Sequence, residues 1–339
     1  MTKITIKDVA REAGVSIATV SNALNGSDVV LPKTREHVVE VARRLNYIPN
    51  ANGRQLRASQ TYNIGLFVPS MTGSYYGDMA DSIHYLCQKH GYELQIYIVD
   101  EGKSLLTRLQ NQSIDGAIIM FGGLSSTDKK QLLRNSIPLV FVDQEVAGRK
   151  TSSVIYESFE HGRMAAQYLL GLGHRDLMHI FGVANNYDSI QRLAGFEAAL
   201  KEAGVPLRKE NILSGRFERA AAYRSMHRYL QEGYALPDAV FAANDLSALG
   251  CIEALKEYSI RVPEDISVIG CDDNLLSRYV TPGLTTIRTH MEELGVEAAK
   301  EVFRLITEKE GRIVRLPGDI IVRHSCAFHS ENGRKDLKR

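Results

Sequence analysis

The chain of 339 residues carries 41 Lys and Arg against 40 Asp and Glu, a formal net charge of +1, and 44% of its residues are hydrophobic. This length permits two or three domains with ordinary apolar cores, and no apolar run approaches the roughly twenty residues of a membrane span. The N-terminus lacks the apolar stretch of a secretory signal. The four cysteines are far apart and form no C-x-x-C pair, so we expect reduced thiols and no zinc site.

The first predicted element is a short helix that follows Thr5. This residue stands where a helix N-cap is expected, with Asp8 three positions later in the arrangement of a capping box. Apolar residues then recur at the spacing of one helical face, at Ile6, Val9, Ala10 and Ala13. Gly14 follows and offers the left-handed backbone that commonly ends a helix.

A second and a third helix are predicted next. Ser16 can cap the second helix, which would pack through Val20 and Leu24. The other face of this helix carries Ile17, Ala18, Ser21 and Asn22. Two helices joined by a short turn form the helix-turn-helix plan, in which the start of the second helix enters the major groove of DNA. The third helix would begin at Pro32.

The charge of this region favours a DNA-binding head over a small helical bundle without a DNA role. Residues 1–60 hold nine Lys and Arg against five Asp and Glu, a net charge of +4, whereas the whole chain carries +1. The remaining residues therefore carry a net negative charge. A basic head on a slightly acidic body suits contacts with DNA phosphates. We expect residues 1–48 to form this head.

Short segments follow one another here in a highly specific order. They are Asp8-Val9-Ala10, Ala13-Gly14-Val15-Ser16, Thr19-Val20-Ser21, Leu24-Asn25, Lys33-Thr34-Arg35 and Leu45-Asn46-Tyr47-Ile48-Pro49-Asn50. This order resembles the lactose/galactose-repressor (LacI/GalR) family of bacterial transcriptional regulators, and the resemblance runs from Ile4 to about Phe328. It implies a homodimer that reads a pseudo-palindromic operator, and a hinge, residues 49–61, that becomes helical on specific DNA. The implied DNA contacts are Thr5, Ser16, Ile17, Ala18, Thr19, Ser21, Asn22, Asn25, Thr34, Tyr47, Asn50, Arg54 and Leu56.

Two positions depart from the pattern of that family. Position 53 is usually Ala, and here it is Gly53, which lowers helix stability by about 1 kcal/mol relative to Ala. The hinge should therefore depend more strongly on the operator for its folding. Leu31 replaces the usual Ser cap of the third helix, and the loss of a cap hydrogen bond typically costs about 1 kcal/mol.

From Asn63 onward, short apolar runs alternate with helical stretches, which predicts βαβ units and parallel sheets covered on both faces. The runs are 64–68, 94–98, 117–120, 139–142, 177–181, 239–242 and 266–269. The predicted fold is therefore an all-α helix-turn-helix head plus an α/β core of two doubly wound parallel-sheet subdomains. The resemblance implies a core similar to periplasmic sugar-binding proteins. Its expected parts are residues 62–158 plus 289–317, residues 159–288 plus 318–330, and a disordered tail, residues 331–339.

Ligands of open parallel sheets bind beyond the carboxyl ends of the strands, and this rule selects candidate site residues. The residues so selected are Ser70, Tyr75, Tyr76, Asp143, Asn244, Asp245, Asp272 and Asp273, and all of them except Asp245 and Asp273 are taken as candidate effector contacts. Carboxylates and amides can bind several hydroxyl groups, and aromatic rings can cover the apolar face of a sugar. The resemblance adds Arg192 and Phe217 as effector contacts.

Plainer structural explanations stay open for some of these residues. Asp245 is expected to cap the helix that follows it rather than to touch a ligand. Arg192 could form a surface salt bridge of little energetic consequence. Tyr75 and Tyr76 could pack between helix and sheet, although we expect one of them to face the ligand. Cys271 departs from the usual pocket wall of the family, which leaves the identity of the ligand open.

No enzyme motif is complete in the sequence. Gly102-Lys103-Ser104 resembles the end of a phosphate-binding loop, but Tyr97 stands where the first glycine is required. The histidines form no H-E-x-x-H pair, and no G-x-S-x-G segment is present. We expect a regulator rather than an enzyme, with no cofactor and no metal.

The expected function is that of a cytoplasmic, nucleoid-associated repressor of carbohydrate-utilisation genes. A sugar or sugar phosphate bound between the subdomains would relieve repression. A corepressor-dependent regulator, or one that binds a phosphocarrier protein, is the alternative within the same family. Residues 330–339 contain a single leucine and no heptad repeat, so we expect a dimer rather than a tetramer, and no membrane partner.

Replacing Leu56 by Ala tests the implied hinge. An apolar side chain inserted between base steps kinks DNA, so Leu56→Ala should weaken specific operator binding by about tenfold or more and leave non-specific binding nearly unchanged. Fluorescence anisotropy with an operator selected from random duplexes, and with a scrambled duplex of equal length, measures both affinities. Equal losses on the two duplexes would contradict a wedge role for Leu56.

Overall fold

A computed structural model describes residues 4–24, 27–47, 60–71, 74–99, 105–107, 109, 114–134 and 136–329 of the chain. The chain divides into two compact units, Met1–Thr61 and Tyr62–Arg339, and each is described by itself. Ile48 of the predicted head, residues 49–59 of the predicted hinge and the predicted tail, residues 331–339, lie outside the described residues.

The first unit contains the helices α1 (Ile6–Ala13), α2 (Ile17–Leu24) and α3 (Pro32–Arg44). At the start of α1, the backbone N–H and the hydroxyl of Thr5 donate to the Asp8 carboxylate at 3.0 and 2.7 Å. Gly14 follows α1 with a φ of 65°. The Ser16 hydroxyl accepts from the Thr19 N–H at 3.0 Å and so caps α2. The local signals that predicted both helix starts are therefore present as hydrogen bonds.

The three helices share one apolar core. Its buried residues are Val9, Ala10, Ala13, Val20, Ala23, Val30, Val38, Val41 and Ala42. Leu24 packs against this core while remaining half-buried, and Ala23 is the second fully buried residue of α2. Leu31 makes no side-chain cap hydrogen bond before α3, as its apolar side chain dictates. Because one face of α2 supplies the core, the opposite face is left toward solvent.

The second unit contains two six-stranded sheets. The first sheet has the order β11-β5-β4-β3-β1-β2, and all its neighbouring strands are parallel. Its strands are β1 (Asn63–Val68), β2 (Glu93–Ile98), β3 (Gly116–Ile119), β4 (Leu139–Val142), β5 (Thr151–Tyr156) and β11 (Ile313–Leu316).

The second sheet has the order β12-β10-β9-β8-β6-β7 and is parallel except at one edge, where β12 runs antiparallel to β10. Its strands are β6 (Leu177–Phe181), β7 (Ile212–Ser214), β8 (Ala239–Ala242), β9 (Ser267–Asp272), β10 (Thr285–Arg288) and β12 (Asp319–Ile321). Two parallel sheets with helical crossovers confirm the α/β class predicted for this part of the chain.

The second unit also contains a set of described helices. They are α4 (Ser74–Lys89), α5 (Ser126–Leu132), α6 (Ser158–Gly171), α7 (Tyr187–Glu202), α8 (Arg219–Gln231), α9 (Asp245–Glu257), α10 (Leu276–Tyr279) and α11 (Met291–Thr307), with a 3₁₀ turn at Lys209–Asn211. Helix α11 packs on α4 and on the first sheet, and α6 packs on α7. The chain therefore passes between the two sheets three times, within residues 156–158, 288–291 and 316–319.

Five strands were not among the predicted apolar runs: β5, β7, β10, β11 and β12. Strand β5 shows why, because Ser152 and Ser153 are fully buried in it. The Ser152 hydroxyl donates at 3.0 Å to Glu301, which is itself buried and paired with Arg304 at 2.9 Å and Arg312 at 2.6 Å. These partners lie far away in the sequence, so the local sequence of β5 gave no indication that a polar segment would form a buried strand.

All four cysteines are free thiols that form no disulfide bond. Cys87, Cys251 and Cys271 are buried, and Cys326 is half-buried. Burial raises the pKa of the Cys87 and Cys251 thiols to about 12, so they stay protonated at neutral pH and act as small apolar groups. None of the described helices is long and apolar enough to cross a membrane.

Helices α6 and α7 cross without room for a side chain between them. A Cβ atom added to Gly162 of α6 would lie 1.9 Å from the carbonyl oxygen of Arg192. A Cβ atom added to Gly195 of α7 would lie 1.8 Å from the carbonyl oxygen of Phe159. This reciprocal approach of backbone to backbone fixes the position of α7, because densely packed interiors do not absorb an added atom.

Gly195→Ala should therefore destabilise the second unit. Overpacking typically costs about 1–3 kcal/mol, and a clash with backbone rather than with a flexible side chain places this variant at the upper end. The matched control is Gly171→Ala at the end of α6, where no atom lies within 4 Å of the added methyl group. Urea denaturation monitored by circular dichroism measures the free energy of unfolding of both variants. Wild-type stability for Gly195→Ala would contradict the crossing constraint.

Candidate functional site

The carboxyl ends of the strands gather polar residues in both sheets. Ser70 lies two positions beyond β1, Asp143 directly follows β4, Asn244 lies two positions beyond β8, and Asp272 ends β9. Asp143 and Asp272 have φ values of 57° and 128°, which are uncommon for residues other than glycine. Strained backbone of this kind concentrates at functional sites. It singles out these two aspartates among the residues at the strand ends.

Four charged side chains come together where the two sheets face each other. Asp143 of the first sheet interacts electrostatically with Asp188, Arg192 and Asp272 of the second, and these four form the carboxylate–arginine cluster. Arg192 is only 3% exposed, which excludes a surface salt bridge. Its Nη1 atom lies 4.0 Å from Asp272 Oδ1 and donates to the carbonyl oxygen of Ala243 at 2.5 Å.

Burial and mutual repulsion shift the proton affinities of the cluster. Burial raises the pKa of Asp143 well above its usual range, and Asp188 raises it further while Arg192 lowers it. Burial also raises the pKa of Asp272 against the opposing effect of Arg192. For Arg192 itself, burial acts to lower the pKa, but Cys271 and the two neighbouring carboxylates outweigh it. The carboxyl groups of Asp143 and Asp272 therefore hold protons at a pH where an exposed aspartate is ionised.

Tyr75 of α4 faces this cluster. Burial raises the pKa of its hydroxyl, and Asp143, Tyr156 and the carboxylates of the second sheet raise it further. The pKa of Tyr76 is raised by burial and by Asp143 alone. The two rings pack edge to face at 5.4 Å, and both also contact the apolar core of the first sheet. Both tyrosines therefore pack against the core, and Tyr75 in addition interacts with the carboxylate–arginine cluster.

Several buried polar atoms around the cluster have no hydrogen-bond partner in the protein. Within the described residues, they include Asp143 Oδ1, Ser189 Oγ, Arg192 Nε and both ring nitrogens of His161. Burial, with a smaller effect of Arg192, lowers the pKa of His161 to about 3, so its ring is neutral. Buried polar groups are nearly always hydrogen-bonded in native proteins. Unpaired groups that gather in one place are suited to bind the polar atoms of a small molecule.

Asn244, and not Asp245, caps α9. Its Oδ1 atom accepts from the Ser247 N–H at 2.9 Å, and its Nδ2 atom donates to the Phe217 carbonyl at 3.1 Å. The expectation for Asp245 was wrong because Asn244 has the extended φ of −151°, whereas Asp245 is already the first helical residue. The Asp245 carboxylate is buried instead and accepts from the Asn274 N–H at 2.9 Å. The amide of Asn244 keeps one N–H beyond these two bonds.

Phe217 brings an aromatic ring to the same end of the second sheet. A Cβ atom added to Gly182, directly after β6, would lie 2.4 Å from the Phe217 ring and 2.2 Å from Ser189 Oγ. Phe217 itself has a φ of 60°. The structure thus places Phe217 beside Ser189, while Ser70 is located only by its position after β1.

An open cavity of about 410 Å³ adjoins Asp272. It is lined by Asp78 of α4 and by residues of the segments 272–278 and 288–293. In its wall, Asp273 pairs with Arg288 at 2.9 Å. Of the eight predicted effector residues, Asp272 alone lines this cavity, so the opening and the buried cluster are neighbouring but distinct features.

Asp188 of α7 and the residues of the first crossing between the sheets were not among the predicted effector contacts. Asp188, near the start of α7, accepts from the Ser158 hydroxyl at 2.6 Å. Tyr156 is buried, and burial followed by Asp143 raises the pKa of its hydroxyl. The strand-end rule applied to β6 could have found Asp188. No local motif marks Tyr156 and Ser158, because their interactions with Asp143 and Asp188 join distant parts of the sequence.

The predicted DNA contacts of the first unit fall into three groups. Ile17 and Ala18 are exposed at the start of α2, and Ser21 and Asn22 are half-buried one turn later. Thr5, Ser16 and Thr19 take part in the helix caps, and Thr34 and Tyr47 are half-buried. Asn25, Asn50, Arg54 and Leu56 lie outside the described residues. An exposed start of α2 is the geometry that major-groove docking of a helix-turn-helix requires.

Comparison with known proteins decides between the function classes. The family model described as "Bacterial regulatory proteins, lacI family" matches residues 5–50, and that of the "Periplasmic binding protein-like domain" matches residues 166–326. The HTH-type transcriptional repressor PurR of Histophilus somni (strain 2336) is 34% identical over 95% of this chain and 98% of its own length. The chain belongs to the lacI family. The PurR repressor of Yersinia pestis (strain Pestoides F) is 36% identical over 95% of this chain and 97% of its own length.

Solved structures of a repressor and of a transcriptional regulator are similar in fold to this chain. The Lac repressor dimer bound to operator and the anti-inducer ONPF aligns with a TM-score of 0.86 at 27% identity, covering 96% of this chain and all of that one. A complex of the transcriptional regulator CelR with cellobiose has a TM-score of 0.71 at 28% identity, covering 95% and 99% of the two chains. The fold class and the family resemblance are confirmed. As a lacI-family member, this chain is a DNA-binding transcriptional regulator and not an enzyme.

The raised pKa of Asp143 predicts that the free energy of unfolding of this lacI-family protein depends on pH. Between the usual aspartate range and the raised value, the folded state holds a proton that the unfolded state releases, so stability falls as pH rises through that window. Asp143→Asn removes the ionisable group and should be more stable than the wild type at about pH 7.5, by roughly 1 kcal/mol or more.

Urea denaturation at about pH 4.5 and about pH 7.5 measures the difference, which should be larger at the higher pH. The exposed Asp81 on α4 supplies the matched control, Asp81→Asn, which should show little change at either pH. A stability difference for Asp143→Asn that is the same at both pH values would contradict the burial of an ionisable carboxyl group.

Proposed function

We propose that this lacI-family protein is a homodimeric repressor that binds a pseudo-palindromic operator and is released from it by a sugar bound between its two sheets. The observation that carries the proposal is the carboxylate–arginine cluster, which draws charged groups from both sheets and is surrounded by unpaired buried polar atoms. Such groups can bind several ligand hydroxyls in a fixed geometry. The proposed effector contacts are Ser70, Tyr75, Tyr76, Asp143, Arg192, Phe217, Asn244 and Asp272.

The charge balance of the cluster favours a neutral sugar over a sugar phosphate. The cluster contains three carboxyl groups, Asp143, Asp188 and Asp272, and the single guanidinium of Arg192, and burial favours the protonated form of Asp143 and Asp272. A phosphate group would bring negative charge into a buried site that already disfavours ionised carboxyl groups and where like charges repel one another with little screening. Hydroxyl groups, in contrast, can hydrogen-bond to carboxyl groups in either protonation state and accept from the Arg192 Nε–H.

Structural relatives support a carbohydrate effector. One is the CelR complex with cellobiose. Another is a LacI family transcriptional regulator from Enterococcus faecium with bound ribose, with a TM-score of 0.71 at 27% identity over 79% of this chain and all of that one. A corepressor-dependent regulator is the second candidate, favoured by the identity of 34–36% to repressors named PurR.

The proposed mechanism depends on the division of the second unit into two parts, between which the chain crosses three times. We assign residues 62–158 plus 289–317 to one subdomain and residues 159–288 plus 318–330 to the other. A ligand that contacts both subdomains stabilises one relative orientation over another, and it can shift the equilibrium only by its difference in affinity for the two states. The hinge, residues 49–61, would lose its helical form when the effector-bound orientation dominates. The protein would act in the cytoplasm, at the nucleoid.

A panel of sugars, sugar phosphates and nucleobases, scored by thermal shift, tests the effector class. A true ligand stabilises the folded state by about 2.7 kcal/mol at one hundred times its dissociation constant. We expect a neutral sugar to raise the melting temperature and to lower operator affinity. A nucleobase that raises both the melting temperature and operator affinity would favour the corepressor function instead.

Asp143→Asn then tests the site, because Asp143 belongs to the cluster and does not line the open cavity. This variant should keep operator binding and lose at least about tenfold in affinity for the sugar, since a lost hydrogen bond that leaves a buried polar group unsatisfied costs about 1–3 kcal/mol. The matched control is Glu292→Gln, which changes a carboxylate that lines the open cavity but lies outside the cluster. Loss of the sugar response in Glu292→Gln and its retention in Asp143→Asn would place the effector in the cavity and overturn the proposed site.

A further inference from the structure

A second group of polar side chains lies at the opposite end of the second sheet. His174 precedes β6 and Asp238 precedes β8, so both stand at the amino ends of strands, away from the effector residues. His329 joins them from the segment that follows β12. The potential metal-binding atoms of these three side chains all lie within 4.8 Å of one another. His174 and Asp238 are buried, and His329 is half-buried.

A hydrogen bond in this group indicates which ring nitrogen of His174 carries the proton. The Nε2 atom of His174 lies 3.0 Å from the carbonyl oxygen of Ala327, and because a carbonyl only accepts, this nitrogen carries the proton. Its Nδ1 atom is then the one with a lone pair. Metal-binding histidines typically donate their second ring N–H to a carbonyl or carboxylate in this way.

Asp238 is oriented by the backbone. Its Oδ2 atom accepts the N–H groups of Arg175 and Asp176, both at 2.8 Å, which fixes the carboxylate plane. Its Oδ1 atom lies 3.9 Å from His329 Nδ1. The two imidazole rings are 5.7 Å apart and inclined at 72°, so they do not stack on each other.

We propose that His174 Nδ1, Asp238 Oδ1 and His329 Nδ1 bind a divalent transition-metal ion, for which Zn²⁺ is the best fit. Zn²⁺ takes imidazole nitrogen at about 2.0–2.1 Å and carboxylate oxygen at about 2.0–2.2 Å, so tetrahedral ligand atoms are roughly 3.3 Å apart. The observed separations need small side-chain adjustments to reach that value. Mg²⁺ and Ca²⁺ are disfavoured because they prefer oxygen ligands throughout. Three protein ligands leave the fourth position to water.

The proposed ion would fasten the C-terminal segment to the second sheet. That segment is already held by backbone bonds: Ser325 accepts from the Val268 N–H at 2.8 Å, and the His329 N–H donates to the Leu172 carbonyl at 2.8 Å. A metal bond through the His329 side chain would add a link between this segment and the strand ends that carry His174 and Asp238. The site has a structural role, independent of effector binding.

Calorimetric titration of the full-length, untagged, EDTA-treated protein with Zn²⁺ tests the proposal. We expect one equivalent per chain, a rise in melting temperature on Zn²⁺ addition, and weaker binding below about pH 6, where protons compete for imidazole. His329→Ala, which removes a half-buried side chain near the end of the described chain, should lower Zn²⁺ affinity by at least about tenfold. Asp238→Asn should do the same while keeping an oxygen acceptor for the two backbone N–H groups.

The matched control is His84→Ala, which removes an exposed histidine of α4 and should leave the titration unchanged. Operator binding and sugar response should also be unchanged in His329→Ala, which separates this site from the effector site. Three results would overturn the proposal: no binding at one equivalent, equal affinity in His329→Ala and the wild type, or a melting temperature that responds to pH in all proteins and never to Zn²⁺. The last result would show an ion pair between Asp238 and protonated histidine instead.

Discussion

The second unit depends on the pairing of one buried charge, the guanidinium of Arg192. A charge taken out of water is costly unless it is paired and hydrogen-bonded. Arg192 meets this requirement through the carbonyl of Ala243 and the carboxylates of Asp188 and Asp272. Asp143 adds a carboxyl group from the other sheet. The cluster is therefore held together by opposite charges, yet it contains more acidic than basic groups and unpaired polar atoms, which suits it to bind a ligand.

The fold supplies this arrangement through two geometric constraints. Parallel strands direct Asp143 and Asp272 toward the space between the sheets because both follow the carboxyl ends of their strands. Helix α7 carries Asp188 and Arg192, four positions apart and so on one helical face. The contact of Gly162 and Gly195 across α6 and α7 fixes that helix. The side chains proposed to bind the effector and the backbone that positions them thus come from separate parts of the sequence.

Much of this architecture was predictable because its signals are local. The caps at Thr5 and Ser16, the glycine after α1 and the apolar spacing fixed the helices of the head. The strand-end rule selected Asp143 and Asp272, which the structure brings into one cluster, without any knowledge of their partners. It misjudged Asp245, because one residue of difference in where α9 begins decides which side chain becomes the cap.

What the sequence could not supply depends on long-range contacts. Strand β5 is polar inside because Ser152 meets Glu301 from α11. The group of His174, Asp238 and His329 has no motif, since the fold alone brings these residues together. Whether Arg192 is exposed or buried is likewise decided by the packing of α7. In each case, the chemistry of a residue is set by neighbours that local patterns do not contain.

A crystal structure of the protein with the sugar that shifts its melting temperature tests the central claim most directly. The account predicts ligand density between Asp143, Arg192 and Asp272, with ligand hydroxyls within hydrogen-bonding distance of Arg192 Nε and Asp143 Oδ1. Ligand density confined to the open cavity beside Asp273 and Arg288, with the cluster unchanged, would contradict it.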